Sequence, residues 1–471
     1  MKARNPRTGE QDYEFAASTR DEVAAEAARL RAMQSDWEAR EAEGRAAILL
    51  RFADVIESAS GDIVAALSAD TARGTVSEIE VQGFIANIRR WAARGPKLFA
   101  ELSRGLTASS VPGIEITTHY SAYPLLGVIA PWNFPVILSH IDAVPALMGG
   151  CAALVKPSEV TPRFVEPMRA VLAAVPELPL TYVMGGAEVG AALIENVDYV
   201  CFTGSTATGH KVAEAAARRL IPANLELGGK DPMIVTASAD PEWAARIALR
   251  ASIVATGQAC QSIERVYVAR EIAEPFMAAL VAEAERIELT YPDPAQGHLG
   301  PFIFAGQAEK VQAQIDDARS KGARVLTGGK VEYLGGGAYL KPTVLTEVAP
   351  DMAVTRDETF GPVVPVTIYD DLETAIGQAN DTLYGLSAAV LAGSLDEAAL
   401  VGERLEAGAI SLQDGALTSM VGDATNTSRK LSGLGPSRMG DSGMLRFLRE
   451  KALIRQTGQP LPIDAYAERK S

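Results

Sequence analysis

The rhythm of apolar and polar positions changes three times along the chain. From about residue 20 to 95, apolar residues recur at helical spacing in alanine-rich stretches broken near Gly44, Gly61 and Gly74. Thr19 stands where a helix N-cap belongs, and Asp21 and Glu22 place acids in the first turn, where the helix dipole favours them. Ahead of it, Asn5–Glu10 reads as a surface turn. From 112 to 124 the period falls to two. Ile114, Ile116 and Thr118 alternate with Glu115, Thr117 and His119, which predicts a half-buried extended piece, a hairpin that reaches outside its own domain.

From Leu125 short apolar runs alternate with helical ones. Strands are predicted over 125–130, 152–155, 181–184, 197–202 and 221–225, and helices over 136–148, 161–174, 189–194 and 205–219. A second series begins near Asp231. Its strands are 232–235, 265–269, 344–346, 363–369, 388–391 and 409–412, and its helices 241–254, 271–287, 306–321, 371–379 and 395–406. Short apolar strands separated by helices imply parallel sheets covered on both faces. The predicted fold class is therefore α/β, with two doubly wound lobes and a small β arm. Ligands of such sheets sit beyond the C-terminal strand ends, and a cleft between lobes is the usual place for a site. Residues 423–443 turn to Ser, Thr, Gly and Arg, a loop region, and the tail from Leu445 predicts an extended arm.

Composition narrows the class. The 471 residues are 48% hydrophobic and 22% charged, with a net charge of −15, the balance of a globular enzyme of two or three domains. No basic stripe exists to neutralise phosphates, which excludes a nucleic-acid partner. Three cysteines (151, 201, 260) without paired spacing exclude a disulfide framework, and four scattered histidines form no metal-ligand pair, so no metal is expected. Cys151 and Cys201 lie in apolar runs and read as buried strand residues. No apolar leader and no apolar run of about 18 residues is present, so neither export nor membrane insertion is expected and the cytoplasm follows by default.

Cys260 differs from the other two. It lies in Ala255-Thr256-Gly257-Gln258-Ala259-Cys260-Gln261, behind a glycine and between small or polar neighbours. Glu226 lies in Leu225-Glu226-Leu227-Gly228-Gly229-Lys230, a carboxylate in an apolar, glycine-flanked run, where partial burial would fit it to accept a proton. A thiolate nucleophile and a carboxylate base suffice for covalent chemistry on a carbonyl. The bland alternatives are a buried structural thiol and a strand-end acid. Phe202-Thr203-Gly204-Ser205-Thr206-Ala207-Thr208-Gly209 follows a strand and opens a helix, so its glycines and helix N-terminus suit a pyrophosphate. It matches neither the phosphate-binding loop of NTPases nor the G-x-G-x-x-G fingerprint. Lys156-Pro157-Ser158-Glu159 ends another strand, Pro131-Trp132-Asn133-Phe134-Pro135 is a rigid loop, and Glu358-Thr359-Phe360-Gly361-Pro362 is a third.

With Asn5–Glu10 these segments, in this order and spacing, resemble the aldehyde dehydrogenase superfamily over nearly the whole chain. The resemblance implies a Rossmann-like cofactor domain over 1–105 and 123–229, a catalytic domain over 230–444, and oligomerisation elements at 106–122 and 445–471. It makes Cys260 the nucleophile that attacks an aldehyde. The thiohemiacetal then loses a hydride and leaves a thioester. Glu226 becomes the general base for the thiol or the deacylating water, and its presence marks a hydrolytic, non-acylating member. Asn133 becomes an oxyanion donor beside the Cys260 backbone N–H, although it could also cap the helix at 136. The implied cofactor contacts are Pro131, Trp132, Lys156, Ser158, Glu159, Gly186, Gly190, Phe202, Thr203, Gly204, Ser205, Leu227, Gly228, Glu358 and Phe360. A carboxylate at 159 accepts bonds from ribose hydroxyls and repels a 2′-phosphate, so NAD is expected over NADP. Lys230 is assigned to a structural ion pair.

In one place the chain departs from the family pattern. The aromatic Pro-Phe-Gly-Gly turn expected before Lys430-Leu431-Ser432-Gly433 is missing. The expected tunnel residues (Trp132, Val136, Ile137, Leu138, Gln261, Leu417, Met420) include no base, which favours a neutral, apolar aliphatic or aromatic aldehyde over an acidic one needing arginine. Arg89 and Arg90, on the helix Glu78–Arg94, are the cations that could reach in. An NADP-linked semialdehyde dehydrogenase is the alternative, and a non-catalytic structural relative is the rival of another class. A homodimer or homotetramer is expected.

Overall fold

The two predicted series each close into a sheet. In the computed structural model, which describes residues 1–103 and 105–468, five parallel strands run in the order Leu180–Tyr182, Ala152–Lys156, Leu125–Ile129, Tyr199–Thr203 and Ala223–Glu226. Alternation divides their side chains between two cores. Leu126, Val128, Ala153, Val155, Tyr199 and Cys201 face the helices between residues 42 and 102, while Leu125, Ile129, Leu154, Val200 and Phe202 face the other side, where Val23, Ala27 and Leu30 of the first helix pack. The second sheet runs Arg324–Val325, Thr343–Thr346, Val363–Tyr369, Ile263–Ala269, Asp231–Val235, Ser387–Leu391 and Ala409–Leu412, parallel except at the first edge. Each large side chain sealed in these cores contributes about 1.5–3 kcal/mol.

The N-terminal helices are Arg20–Glu38, Ala42–Ser58, Ser60–Thr71 and Gly74–Leu102. Thr19 makes a full capping box with Glu22. Gly44, Gly61 and Gly74 fall in the first turn of the helix that follows each break rather than in the break. The last helix continues through Gly95 and Pro96 because its buried face, including Phe84, Ile88 and Trp91, extends to Leu98.

Three expectations need correction. The helix expected over 136–148 is two helices, Pro135–His140 and Ala143–Gly149, parted at Asp142, whose buried carboxylate is held by Arg438 and Arg446. The strand Ile114–Ala122 does form a short hairpin, with Thr107–Ala108, so the hairpin begins at 107 rather than at 112. It also pairs residue for residue with the tail strand Leu448–Gln456. The border placed at 444 also moves. Gly433–Leu434 is the antiparallel edge of the first sheet, against Leu225 and Glu226, and Met444 and Phe447 are buried in the first lobe. Arg104 and residues 469–471, included in the expected domain and arm, lie outside the described residues. Among the described residues, no helix is long and apolar enough to cross a membrane.

Candidate active site

The C-terminal ends of the first sheet's strands carry almost every residue singled out in the sequence. Ile129 leads into Pro131–Asn133, and Lys156 leads into Ser158 and Glu159. Thr203 leads into Gly204 and Ser205, and Glu226 into Leu227–Gly229. This is the edge at which open parallel sheets bind ligands.

Cys260 sits on the loop between helix Pro241–Ile253 and strand Ile263–Ala269, half-buried. The loop is held in an unusual shape. Ala255, Thr256 and Gly257 take φ of 56°, 59° and 63°, three left-handed residues in a row. For the first two this costs about 1–3 kcal/mol each. A Cβ on Gly257 would meet the Gly361 carbonyl oxygen at 2.3 Å, so only glycine fits there. The loop is pinned from several sides. Arg73 donates to the carbonyls of both Asn133 and Ala255, Thr256 Oγ1 donates to the Gly300 carbonyl at 3.2 Å, and Gln258 accepts from the Ile303 N–H. Gly229 lies so close that a Cβ there would come within 2.7 Å of the Cys260 carbonyl oxygen. Burial, with the fields of Asp231, Glu358 and Glu226, pushes the Cys260 thiol up to about 12, and Arg438 opposes them.

Glu226 accepts from the Ser428 hydroxyl at 2.9 Å, and its other oxygen lies 3.9 Å from Arg438 Nε. Asn133 is buried, and its Nδ2 donates to the Gln258 carbonyl at 3.1 Å. The structure contradicts the capping alternative for Asn133. The helix that begins at Pro135 is capped by Glu80, which accepts from Val136 and Ile137 and is pushed up to about 7 by burial.

The remaining candidates form two clusters. Lys156 Nζ donates to Glu159 at 3.2 Å, Gly190 packs on the Lys156 stem, and Gly186 stands beside Glu159. Ser158 accepts from Val160 N–H and shapes the local turn. Ser205 caps the helix Thr206–Arg219, whose first turn is open at the surface. Phe202 packs under Gly204, and Thr203 accepts from Arg438. Leu227 bonds to the Ser432 carbonyl. The second cluster surrounds Glu358, which accepts from Gly229 N–H at 3.3 Å and is pushed up to about 7 by burial and the nearby Glu264. A Cβ on Gly228 would meet both Glu358 oxygens at 2.9 Å. Phe360, at φ 56°, sets its ring edge-to-face on Trp132 at 5.4 Å. Lys230 closes a buried ion pair with Glu264 at 2.7 Å, as expected from the sequence, and that carboxylate also takes the Thr359 and Phe360 N–H groups. Glu264 thus fixes the Glu358–Phe360 turn.

Arg73, Ser428 and Arg438 were not foreseen. Val136 leaves the expected tunnel set, since it is fully buried in the first core. Thr418 Oγ1 donates to Gln261 at 3.2 Å, which brings the short helix Leu417–Met420 beside the cysteine loop. Arg89 turns outward to Asp54 and Glu57, while Arg90 lies over the Trp91 ring and 3.4 Å from Asp423.

The profile of the aldehyde dehydrogenase family matches residues 1–453. A relative from Mycolicibacterium smegmatis, provisionally named succinate-semialdehyde dehydrogenase [NADP(+)], is 37% identical over 97% of this chain and 88% of its own. A solved structure provisionally named aldehyde dehydrogenase PutA, from Anabaena variabilis, is 47% identical, covers 98% of both chains and superposes with a TM-score of 0.95. Betaine aldehyde dehydrogenase from Staphylococcus aureus, in complex with NAD+, is 26% identical, covers 98% of this chain and 92% of its own, and superposes at 0.90. A strained cysteine loop drawn close to the turn at the strand ends of an open parallel sheet fits the same conclusion: the chain belongs to the aldehyde dehydrogenase family.

Proposed function

We propose that this chain oxidises a neutral, apolar aldehyde to its carboxylic acid with NAD, using Cys260 as nucleophile, Glu226 as general base and Asn133 as an oxyanion donor. The observation that carries the reading is the approach of the Glu226–Gly229 turn to Cys260. A thiol at about 12 needs help to ionise. Three carboxylates act on the sulfur. Asp231 is sealed and bonded to Ser387, and Glu358 is tied to Gly229, whereas Glu226 is reachable, with 17% of its side chain exposed. Proton transfer to Glu226 frees the sulfur to attack; the proton then passes to solvent, and the restored carboxylate takes a proton from the water that cleaves the thioester. The Asn133 amide spends one hydrogen on Gln258 and has a second to offer the oxyanion. Loss of such a donor costs ~10²–10³ in rate.

The residues present fit a dinucleotide. Gly186 and Gly190 leave room beside Lys156 and Glu159 for an adenosine ribose, and Ser205 heads an open helix N-terminus suited to a pyrophosphate. Gly228 lets Glu358 lie close over the turn, where it would hold the second ribose, with Phe360 alongside. When bound, the nicotinamide supplies the acceptor for the hydride. Glu159 is the reason for naming NAD. The mouth supports an apolar substrate, because Leu417, Met420 and Val421 are exposed there at 38%, 73% and 45%. A second reading, an NADP-linked semialdehyde dehydrogenase, is favoured by the Mycolicibacterium smegmatis relative's name and by Arg90 near Asp423.

The decisive test follows NADH formation with wild type and Cys260→Ala, and turnover should vanish in the variant. Retained turnover removes the covalent mechanism. Titration with NAD and NADP, and kcat/KM for hexanal and benzaldehyde against succinic semialdehyde, separates the two readings. Higher values with NADP and the semialdehyde select the second.

A further inference from the structure

Behind Glu226 lies a buried charge cluster that the sequence did not announce. Asp142 is 1% exposed and accepts from Arg438 Nη2 at 2.6 Å and from Arg446 Nη2. Arg446 is also bonded to Asn224 in the Glu226 strand, at 2.6 Å. Arg438 Nη2 further donates to Thr203 at 2.8 Å, and Thr203 is the direct sheet neighbour of Glu226. Two guanidinium groups thus share one aspartate, which leaves one positive charge without a counter-ion in the cluster. Arg438 Nε is buried with no hydrogen-bond partner, and the closest carboxylate oxygen it pairs with is Glu226 Oε1, at 3.9 Å. A buried charge is costly unless it is compensated. Glu226 supplies the missing negative charge, and Ser428 holds its other oxygen at 2.9 Å. Ser428 comes from the segment where the chain departs from the family's glycine turn.

We propose that Ser428 and Arg438 are positioning residues that give Glu226 a rest position, where its carboxylate is the counter-charge of the Asp142–Arg438–Arg446 cluster. The proposal rests on the reading of Glu226 as the base. In deacylation a water proton passes to Glu226, the water oxygen bonds to the acyl carbon, and the C–S bond breaks. The proton then returns to the sulfur, restoring the Cys260 thiol and the Glu226 carboxylate. A protonated Glu226 no longer balances the cluster, so the cluster favours handing the proton on. The groups that face Glu226 are Ser428 and Arg438 from the 423–443 segment, Thr203 and Cys201 from the adjacent strand, and Cys260 across the seam.

The test compares wild type with Ser428→Ala, Ser428→Thr and Arg438→Gln, following kcat and KM for one aldehyde across pH. Ser428→Ala should lower kcat about tenfold, the scale of one hydrogen bond to a charged group, with KM within about twofold. The acid limb of its kcat profile should move to higher pH, because the ionised form loses a donor. Ser428→Thr should restore both, and Arg438→Gln should move the limb further. If Arg438→Gln does not fold, the serine pair still decides. Wild-type kcat and pH profile in Ser428→Ala, or equal losses in Ser428→Ala and Ser428→Thr, overturn the proposal. Cys260→Ala is run alongside. If it is inert while Ser428→Ala behaves as wild type, only the positioning role fails, whereas turnover in Cys260→Ala defeats the underlying mechanism.

Discussion

Glu358 shows most clearly how single residues here are set against stability. Its carboxyl is pushed up to about 7 by burial, with Glu264 adding to the effect. A carboxyl that holds its proton more tightly folded than unfolded contributes most stability below its ordinary range near 4.5, and that contribution is lost as pH rises through 7. Glu358→Gln removes the penalty. Thermal unfolding of the cofactor-free enzyme should therefore show the variant more stable than wild type at pH 8, by on the order of 2 kcal/mol, and little changed at pH 4. An equal shift at both pH values would mean the carboxyl does not titrate in the folded protein. If Glu358 holds the ribose, the same variant loses cofactor affinity, a trade common at binding sites.

At the scale of elements, the loop that carries Cys260 matters more than the strands beside it. Gly257→Ala would force a left-handed alanine against the Gly361 carbonyl, and should destabilise the protein by about 2–4 kcal/mol with loss of NADH formation. Urea unfolding and turnover measure both, and a variant with wild-type stability would show that the loop is not held as described. Both lobes, and nearly all their strands, were legible because each strand is a short apolar run bounded by turn residues. The helix at 136–148 was misread because Asp142 interrupts it through partners near the far end of the chain. Ser428, bonded to Glu226 across 202 residues, was invisible for the same reason, and so was Arg438, which meets Thr203 across 235. Local spacing marks the cysteine loop and its glycines, but it does not say which distant side chain will lean on them.

Across the whole molecule, the outlying three-stranded sheet is the least self-sufficient part. Ile116 and Ile454 lie opposite each other in register and are exposed at 38% and 70%, with Leu453 adjacent. Exposed apolar residues grouped in this way would suit an association surface. Ile454→Asp should lower the assembly mass seen by light scattering while leaving the circular dichroism spectrum intact, and an unchanged mass would place the contact elsewhere. The return of Gly433–Leu434 to the first sheet has a wider effect. The segment that brings Ser428 and Arg438 to Glu226 also forms, at Gly422 and Asp423, the surface against Arg90. One stretch of chain thus touches Arg90 at one end and Glu226 at the other, so a substitution that shifts it at Asp423 also stands to draw Ser428 and Arg438 away from Glu226.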